Sequence, residues 1–345
     1  MKIGLVGYQG SGKSTCFQWL TGQEADPAMS HSLQSAMCVV PESRVQPLCD
    51  LYHPKKITLA SLEIVDTPGL ARDGEGNAVR LSQLRECGCL VLVVPGYDRD
   101  DPVADLHRFE EDLILADMEI VSKRLERIAE QLKKPMQKSQ RDPLETEQST
   151  LTAVMAGLDS GHPVDPETLN DDQQKALRAF QLMTTKPQLV LINTSDDETE
   201  FTRFLTKIPT DVVAFAIPVH LEQELGEMTP EERKAFIEEM GVGGGADRDG
   251  LIRAMMDVSG QQLFLTAGEK EVRTWMMRKG GTALEAAEAI HSDLARGFIR
   301  AEIMTVTDLV TLGSEREVKA AHRVRQEPKD YIVQPDDVLF IRFSV

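Results

Sequence analysis

Gly7-Tyr8-Gln9-Gly10-Ser11-Gly12-Lys13-Ser14-Thr15 follows the apolar run Ile3 to Val6 and opens into Cys16-Phe17-Gln18-Trp19-Leu20. A strand, a glycine-rich loop and a helix start in that order make a phosphate cradle, because loop N–H groups and the helix N-terminus all point at one anion. Within this P-loop, Gly7, Gly10, Ser11, Gly12 and Thr15 belong to the nucleotide-binding set. Lys13 reaches the β- and γ-phosphates, and the Ser14 hydroxyl joins a Mg²⁺ shell.

The next signal downstream is Leu62-Glu63-Ile64-Val65-Asp66-Thr67-Pro68-Gly69, a buried strand that ends in an acid and then a glycine. Asp66 at a strand tip can hold magnesium through water, and the Gly69 N–H can donate to a γ-phosphate and so couple the following loop to its presence. Lys13, Asp66 and Gly69 are therefore the expected catalytic set. Leu70 stands where Ras-type switches place a water-orienting glutamine, so water must be positioned in another way. A third element, Asn193-Thr194-Ser195-Asp196, follows the apolar run Leu189 to Ile192. At such a place an aspartate can take two hydrogen bonds from guanine, or it can cap a helix. Thr194 replaces the lysine that usually braces a guanine site, so the choice between ATP and GTP stays open.

Apolar runs at Ile3 to Gly7, Leu62 to Val65, Cys89 to Val94, Leu189 to Ile192 and Val212 to Ile217 are continuous rather than alternating. Such runs suit strands buried on both faces, hence an α/β domain with a mostly parallel sheet over residues 1–102 and 185–260. Ile114, Met118, Val121, Leu125, Ile128 and Leu132 recur at alternating spacings of four and three, a heptad-like stripe. Two further stripes, Leu151, Val154 and Leu158, then Ala176, Phe180 and Met183, complete an inserted α-helical hairpin or coiled coil over 103–184. Gly241 and Gly243 to Gly245 predict a flexible joint. Beyond it, residues 261–345 alternate strand-like and helix-like stretches, which predicts a small mixed β-sheet gripping one helix.

The chain has 345 residues, 41% hydrophobic and 27% charged, enough for two or three packed domains. Lys plus Arg is 38 against 56 for Asp plus Glu, a net charge of −18 that opposes broad contact with nucleic acid or anionic lipid. No DNA partner is expected, and any RNA contact must be local. From Leu263 onward, 12 basic residues face 13 acidic ones, so the excess charge lies in the remainder. Five cysteines, an odd number confined to the first 89 residues, argue against a secreted disulfide framework. No apolar run is long enough to span a bilayer, and a cytoplasmic protein with no membrane partner is expected.

Phe264-Leu265-Thr266-Ala267-Gly268-Glu269-Lys270-Glu271-Val272-Arg273-Thr274-Trp275, Ala289 to Glu302 and Lys329-Asp330-Tyr331-Ile332-Val333, taken with the P-loop, resemble the YchF and Obg-like ATPase family of translation-factor-class P-loop proteins. The resemblance covers nearly the whole chain. It implies a C-terminal TGS domain of ubiquitin-like β-grasp fold, ATP as preferred nucleotide, slow hydrolysis, and association with a ribosome or an RNA-linked partner through the TGS and helical domains. It also aligns Ser32 with a switch hydroxyl that would ligate magnesium. Gln9, Gly10 and Ser11 stand where the family has Pro, Asn and Val, the loop after Leu70 is short, and Asp196 stands for a glutamate. The chain thus reads as a divergent member. A GTPase of the same fold, or a nucleotide-gated binding module with negligible hydrolysis, are the alternatives. His291 reads as a packed or capping residue.

Overall fold

In chain order the elements are β1 (Lys2–Val6), α1 (Lys13–Thr21), β2 (Gln34–Val39), α2 (Val45–Tyr52), β3 (Ile57–Thr58), β4 (Ser61–Asp66), α3 (Asn77–Leu84), β5 (Cys89–Pro95) and α4 (Pro102–Leu132). There follow α5 (Lys138–Asp159), α6 (Asp171–Arg178), β6 (Gln188–Asn193), α7 (Thr202–Leu205), β7 (Ala214–Ile217), α8 (Val219–Gly226), α9 (Pro230–Met240) and α10 (Arg248–Val258). The last are β8 (Gln261–Thr266), β9 (Val272–Arg278), α11 (Ala283–Ile290), α12 (Ser292–Arg296), β10 (Phe298–Thr305), α13 (Val306–Leu312), α14 (Glu315–Ala320), β11 (Arg325–Glu327) and β12 (Asp337–Phe343). This computed structural model describes residues 1–26, 32–97, 101–165, 168–242 and 247–344. The chain forms two compact units, Met1–Ala36 with Glu63–Arg248 and Met37–Leu62 with Asp249–Val345.

The first unit is built on a sheet of order β2-β4-β1-β5-β6-β7. The pairs β4 to β1, β1 to β5, β5 to β6 and β6 to β7 are all parallel. Every residue of β5 is buried, as are five of the six in β6. Helices on both faces require this continuous apolar composition. Because the strands run together, the tips of β1, β4 and β6 reach the same sheet edge, where α/β folds place their ligands. The apolar runs seen in the sequence all become strands, but β2 has a different signature. There Ala36 and Cys38 turn inward while Ser35, Met37 and Val39 face out, the alternation of a strand covered on one side only.

Asp101 caps α4 by accepting the Val103 N–H, and Pro102 occupies the first turn, where its missing N–H costs no helix bond. The predicted hairpin forms from α4 and α5, with Val121, Ile128, Leu151, Val154 and Leu158 buried between them. The third stripe is shifted. In α6 Leu177, not Ala176, joins this cluster, while Met183 belongs to the core of the parallel sheet. The fully buried Asp117 anchors α4 by accepting both the N–H and the hydroxyl of Thr184 at 2.9 Å. Its other oxygen lies 2.9 Å from the Arg85 guanidinium. The predicted glycine joint at 243–245 falls outside the described residues.

The second unit carries a sheet of order β11-β10-β12-β8-β9-β3. β8 and β9 form an antiparallel hairpin, β12 runs parallel to β8, and β10 runs antiparallel to β12. Ala283 and Ala286 of α11 pack on Phe264, Met277, Ala301, Ile303 and Leu339, so the sheet grips a helix as expected. The helical stretch after Thr282 breaks at His291, whose ring nitrogen accepts the Asp293 N–H and caps α12. The sequence reading left residues 37–62 in the nucleotide domain; the chain packs them elsewhere. β3 adds to the β9 edge, with Ile57 opposite Val272, and α2 buries Val45, Leu48 and Cys49 against Leu265, Val272, Leu309 and Val338.

Candidate nucleotide and metal site

The loop from Gly7 to Gly12 leaves β1 and delivers Lys13 to the first turn of α1. Gly12 sits before that turn with φ 91°, and a Cβ there would collide with the Asn193 side-chain amide. Only glycine satisfies both conditions. Lys13 is 6% exposed and donates from Nζ to the Tyr8 carbonyl at 3.0 Å. Burial pushes its ammonium down to about 8, with the Asp66 carboxylate pulling in the opposite direction.

Asp66 ends β4 facing that lysine. Its Oδ2 accepts the Ser14 hydroxyl at 2.7 Å, and its Oδ1 is buried with no hydrogen-bond partner. Burial raises its pKa, opposed by the Ser14 bond and the charge of Lys13. One hydroxyl, one carboxylate and an orphaned carboxylate oxygen suit a hard cation that keeps most of its shell as water and phosphate oxygen. Thr67 fixes the strand tip by donating its hydroxyl to the Leu5 carbonyl at 2.6 Å. Beyond it, the switch loop is zipped to the P-loop. Leu70 N–H donates to Gly7 at 3.0 Å, and Gln9 N–H donates back to Leu70 at 2.9 Å. A Cβ on Gly69 would lie 3.0 Å from Gln9 backbone atoms, so a glycine there lets the two loops approach without either giving way.

Lys13, Ser14, Ser32, Asp66 and Gly69 line one cavity of about 440 Å³ together with Gly10. Gly7, Ser11, Gly12 and Thr15 do not line that cavity. The same wall includes Gln9, Gln34 and Arg80, which the motif analysis did not single out as site residues. The only signal for Arg80 was the short loop that brings α3 close.

At the tip of β6 the residues do different work. Asn193 donates to the Ser11 carbonyl and accepts the Val219 N–H, each at 3.3 Å, stitching the P-loop to β6 and α8. Thr194 is buried, with a hydroxyl lacking a hydrogen-bond partner. Asp196 accepts the Leu221 N–H at 3.1 Å with one oxygen and meets His220 Nδ1 at 2.9 Å with the other. Its carboxylate is thus placed on the first turn of α8.

Residues 2–141 match the family described as 50S ribosome-binding GTPase, and residues 262–344 match the C-terminal family of YchF-type GTPases, described as a protein of unknown function. The chain is 33% identical to the ribosome-binding ATPase YchF of Bacillus subtilis, with all of both chains covered. It is 34% identical to the Obg-like ATPase 1 of Oryza sativa subsp. japonica, covering all of this chain and 92% of that one. The chain belongs to the YchF and Obg-like ATPase family. The solved Schizosaccharomyces pombe YchF GTPase agrees, with a TM-score of 0.83 at 25% identity over 99% of this chain and 97% of that one.

In this YchF-type P-loop NTPase, the loop after Gly69 is also tied to the helical hairpin. Arg72, two residues past Leu70, makes a bidentate pair with the buried Asp105 of α4, at 2.5 and 2.8 Å. The same guanidinium lies 4.9 Å from the centre of the Tyr8 ring. The Tyr8 hydroxyl in turn donates to Asp112 of α4 at 2.8 Å. P-loop, switch loop and α4 therefore share one polar cluster.

Proposed function

We propose that this chain binds ATP with Mg²⁺, hydrolyses it slowly, and uses the bound state to control a ribosome-associated partner in the cytoplasm. The observation that carries this reading is the convergence of the Lys13 ammonium, the Ser14 and Asp66 oxygens and Gly69 on one cavity. Ser14 and Asp66 would hold the metal, which when bound neutralises phosphate charge and polarises the γ-phosphoryl group. Lys13 exchanges the Tyr8 carbonyl for β- and γ-phosphate oxygens. Gly69 offers its N–H to the γ-phosphate, and displacement there is passed through Leu70 and Arg72 to α4. Leu70 offers no hydrogen bond to water, which supports slow turnover.

Relatives named ribosome-binding ATPase support both the nucleotide and the partner. The helical hairpin and the C-terminal sheet are the proposed partner surfaces. ATP is preferred over GTP here because the Asp196 carboxylate is engaged by α8 and Thr194 replaces the bracing lysine. A GTPase is the second reading, favoured by a carboxylate at position 196 of the N-x-x-D pattern. Titrating nucleotide-free protein with ATP and GTP in Mg²⁺, then following phosphate release, tests both. Tighter ATP binding with measurable release is expected. Tighter GTP binding would establish the second reading, and no binding of either would end both.

A further inference from the structure

Among the described residues, Arg80 is the one cavity-lining cation besides Lys13, and neither the P-loop nor the Asp66 to Gly69 motif includes it. We propose that Arg80 acts in cis as a catalytic arginine, its guanidinium contacting the terminal phosphate of the bound nucleoside triphosphate. This rests on the triphosphatase reading above.

Three observations carry it. The first is position. Residues 71–76 form a short closed loop, because Asn77 accepts the Ala71 N–H at 2.8 Å and donates to the Ala71 carbonyl at 2.9 Å. α3 therefore begins close to the switch glycine, and Arg80 in its first turn stands on the cavity wall. The second is orientation. Arg80 Nη1 donates to the Glu75 carbonyl at 2.8 Å and to Asn77 Oδ1 at 3.2 Å, so one corner of the guanidinium is anchored. The other N–H groups make no hydrogen bond among the described residues. The third is charge. Among the described residues no carboxylate pairs with Arg80, although the chain has 56 acidic residues. A half-buried guanidinium with donors to spare, beside a phosphate cradle, matches the geometry of phosphate recognition.

Charge that develops on the phosphates calls for such a donor, and the aliphatic Leu70 side chain offers none. Water attacks the γ-phosphorus, and the bond from phosphorus to the bridging oxygen breaks with its electron pair left on the diphosphate. The water's proton ends on the released phosphate. Charge builds on the γ-phosphoryl oxygens and the bridging oxygen, where an arginine is worth several powers of ten in rate.

The test uses the full chain with Mg²⁺ and ATP in single-turnover hydrolysis, comparing wild type with Arg80→Ala, Arg80→Met and Arg80→Lys. All three are expected to bind ADP as wild type does, while the Ala and Met variants lose at least about a hundredfold in rate and Lys recovers only a fraction. Calorimetric binding of ADP with aluminium fluoride, a transition-state mimic, should weaken in parallel. Rates within twofold of wild type for both Ala and Met would overturn the proposal. So would an equal loss of ADP binding in both, which marks a structural role, or a wild type that binds ATP without turnover. A wild type that binds no nucleotide would overturn the triphosphatase reading itself and the Arg80 role with it.

Discussion

In the proposed reading Lys13 meets phosphate as an ammonium, yet in the free protein its burial lowers the pKa to about 8. Above that pH the free lysine is neutral, and binding a triphosphate must recruit a proton to it. Affinity should therefore be flat below pH 7.5 and fall by about tenfold per unit above pH 8. Titrations with ATP in Mg²⁺ at pH 7.5 and 9.5 check this, and equal dissociation constants would remove Lys13 from the phosphate contacts. Asp196 presents the reverse case. Through Leu221 it caps α8, so Asp196→Ala should cost about 1 kcal/mol, read from the denaturation midpoint. An unchanged midpoint would mean that the cap contributes nothing. The letters N-x-x-D fit base reading and capping equally well, and only the fold says where the carboxylate is placed. Lys13, Ser14, Asp66 and Gly69 were legible because the motifs fix their spacing along the chain. Arg80 and Gln34 were not, because they reach the cavity through loop length and strand placement, which leave no pattern of their own.

Among the elements, α4 carries the most weight for the proposed coupling. Its first turn holds the loop after Gly69 through Arg72 and Asp105, and two turns later it holds the P-loop through Tyr8 and Asp112. Asp105 is 3% exposed, so removing its charge breaks a bidentate ion pair with Arg72 in a partly dry place. Asp105→Asn should lower stability by about 2 kcal/mol and, more tellingly, abolish any difference in hydrogen exchange of α4 between ATP and ADP states. If that difference survives in the variant, the pair is structural and the signal takes another route. The hairpin itself was readable from its heptad spacing, because two helices that pack along their length must repeat their apolar residues. The error over Ala176 and Met183 has an equally physical origin. α6 ends at Arg178, and the chain then leaves helical periodicity to send Met183 into the sheet core.

Over the whole molecule, sequence order and packing part company between Met37 and Leu62. The chain leaves the parallel sheet, builds α2 and β3 into the unit whose other residues begin at Asp249, and returns as β4 in time to deliver Asp66. Hydropathy could not show this, since an apolar face records that it is buried and not by which partner. Leu48 gives the sharpest test. It is fully buried on α2 in one cluster with Leu265, Val272, Leu309 and Val338. Leu48→Ala removes three heavy atoms there and should cost about 2–5 kcal/mol. Although residue 48 lies between the P-loop and the switch, the amides expected to lose protection are those of β8, β9 and β12, with β1, β5 and β6 retained. Hydrogen exchange read element by element separates the cases. Lost protection in β1 and β5 with β8 intact would mean that α2 belongs to the nucleotide unit after all. The expected pattern would instead make the C-terminal sheet dependent on a segment that the chain must supply from its first fifth.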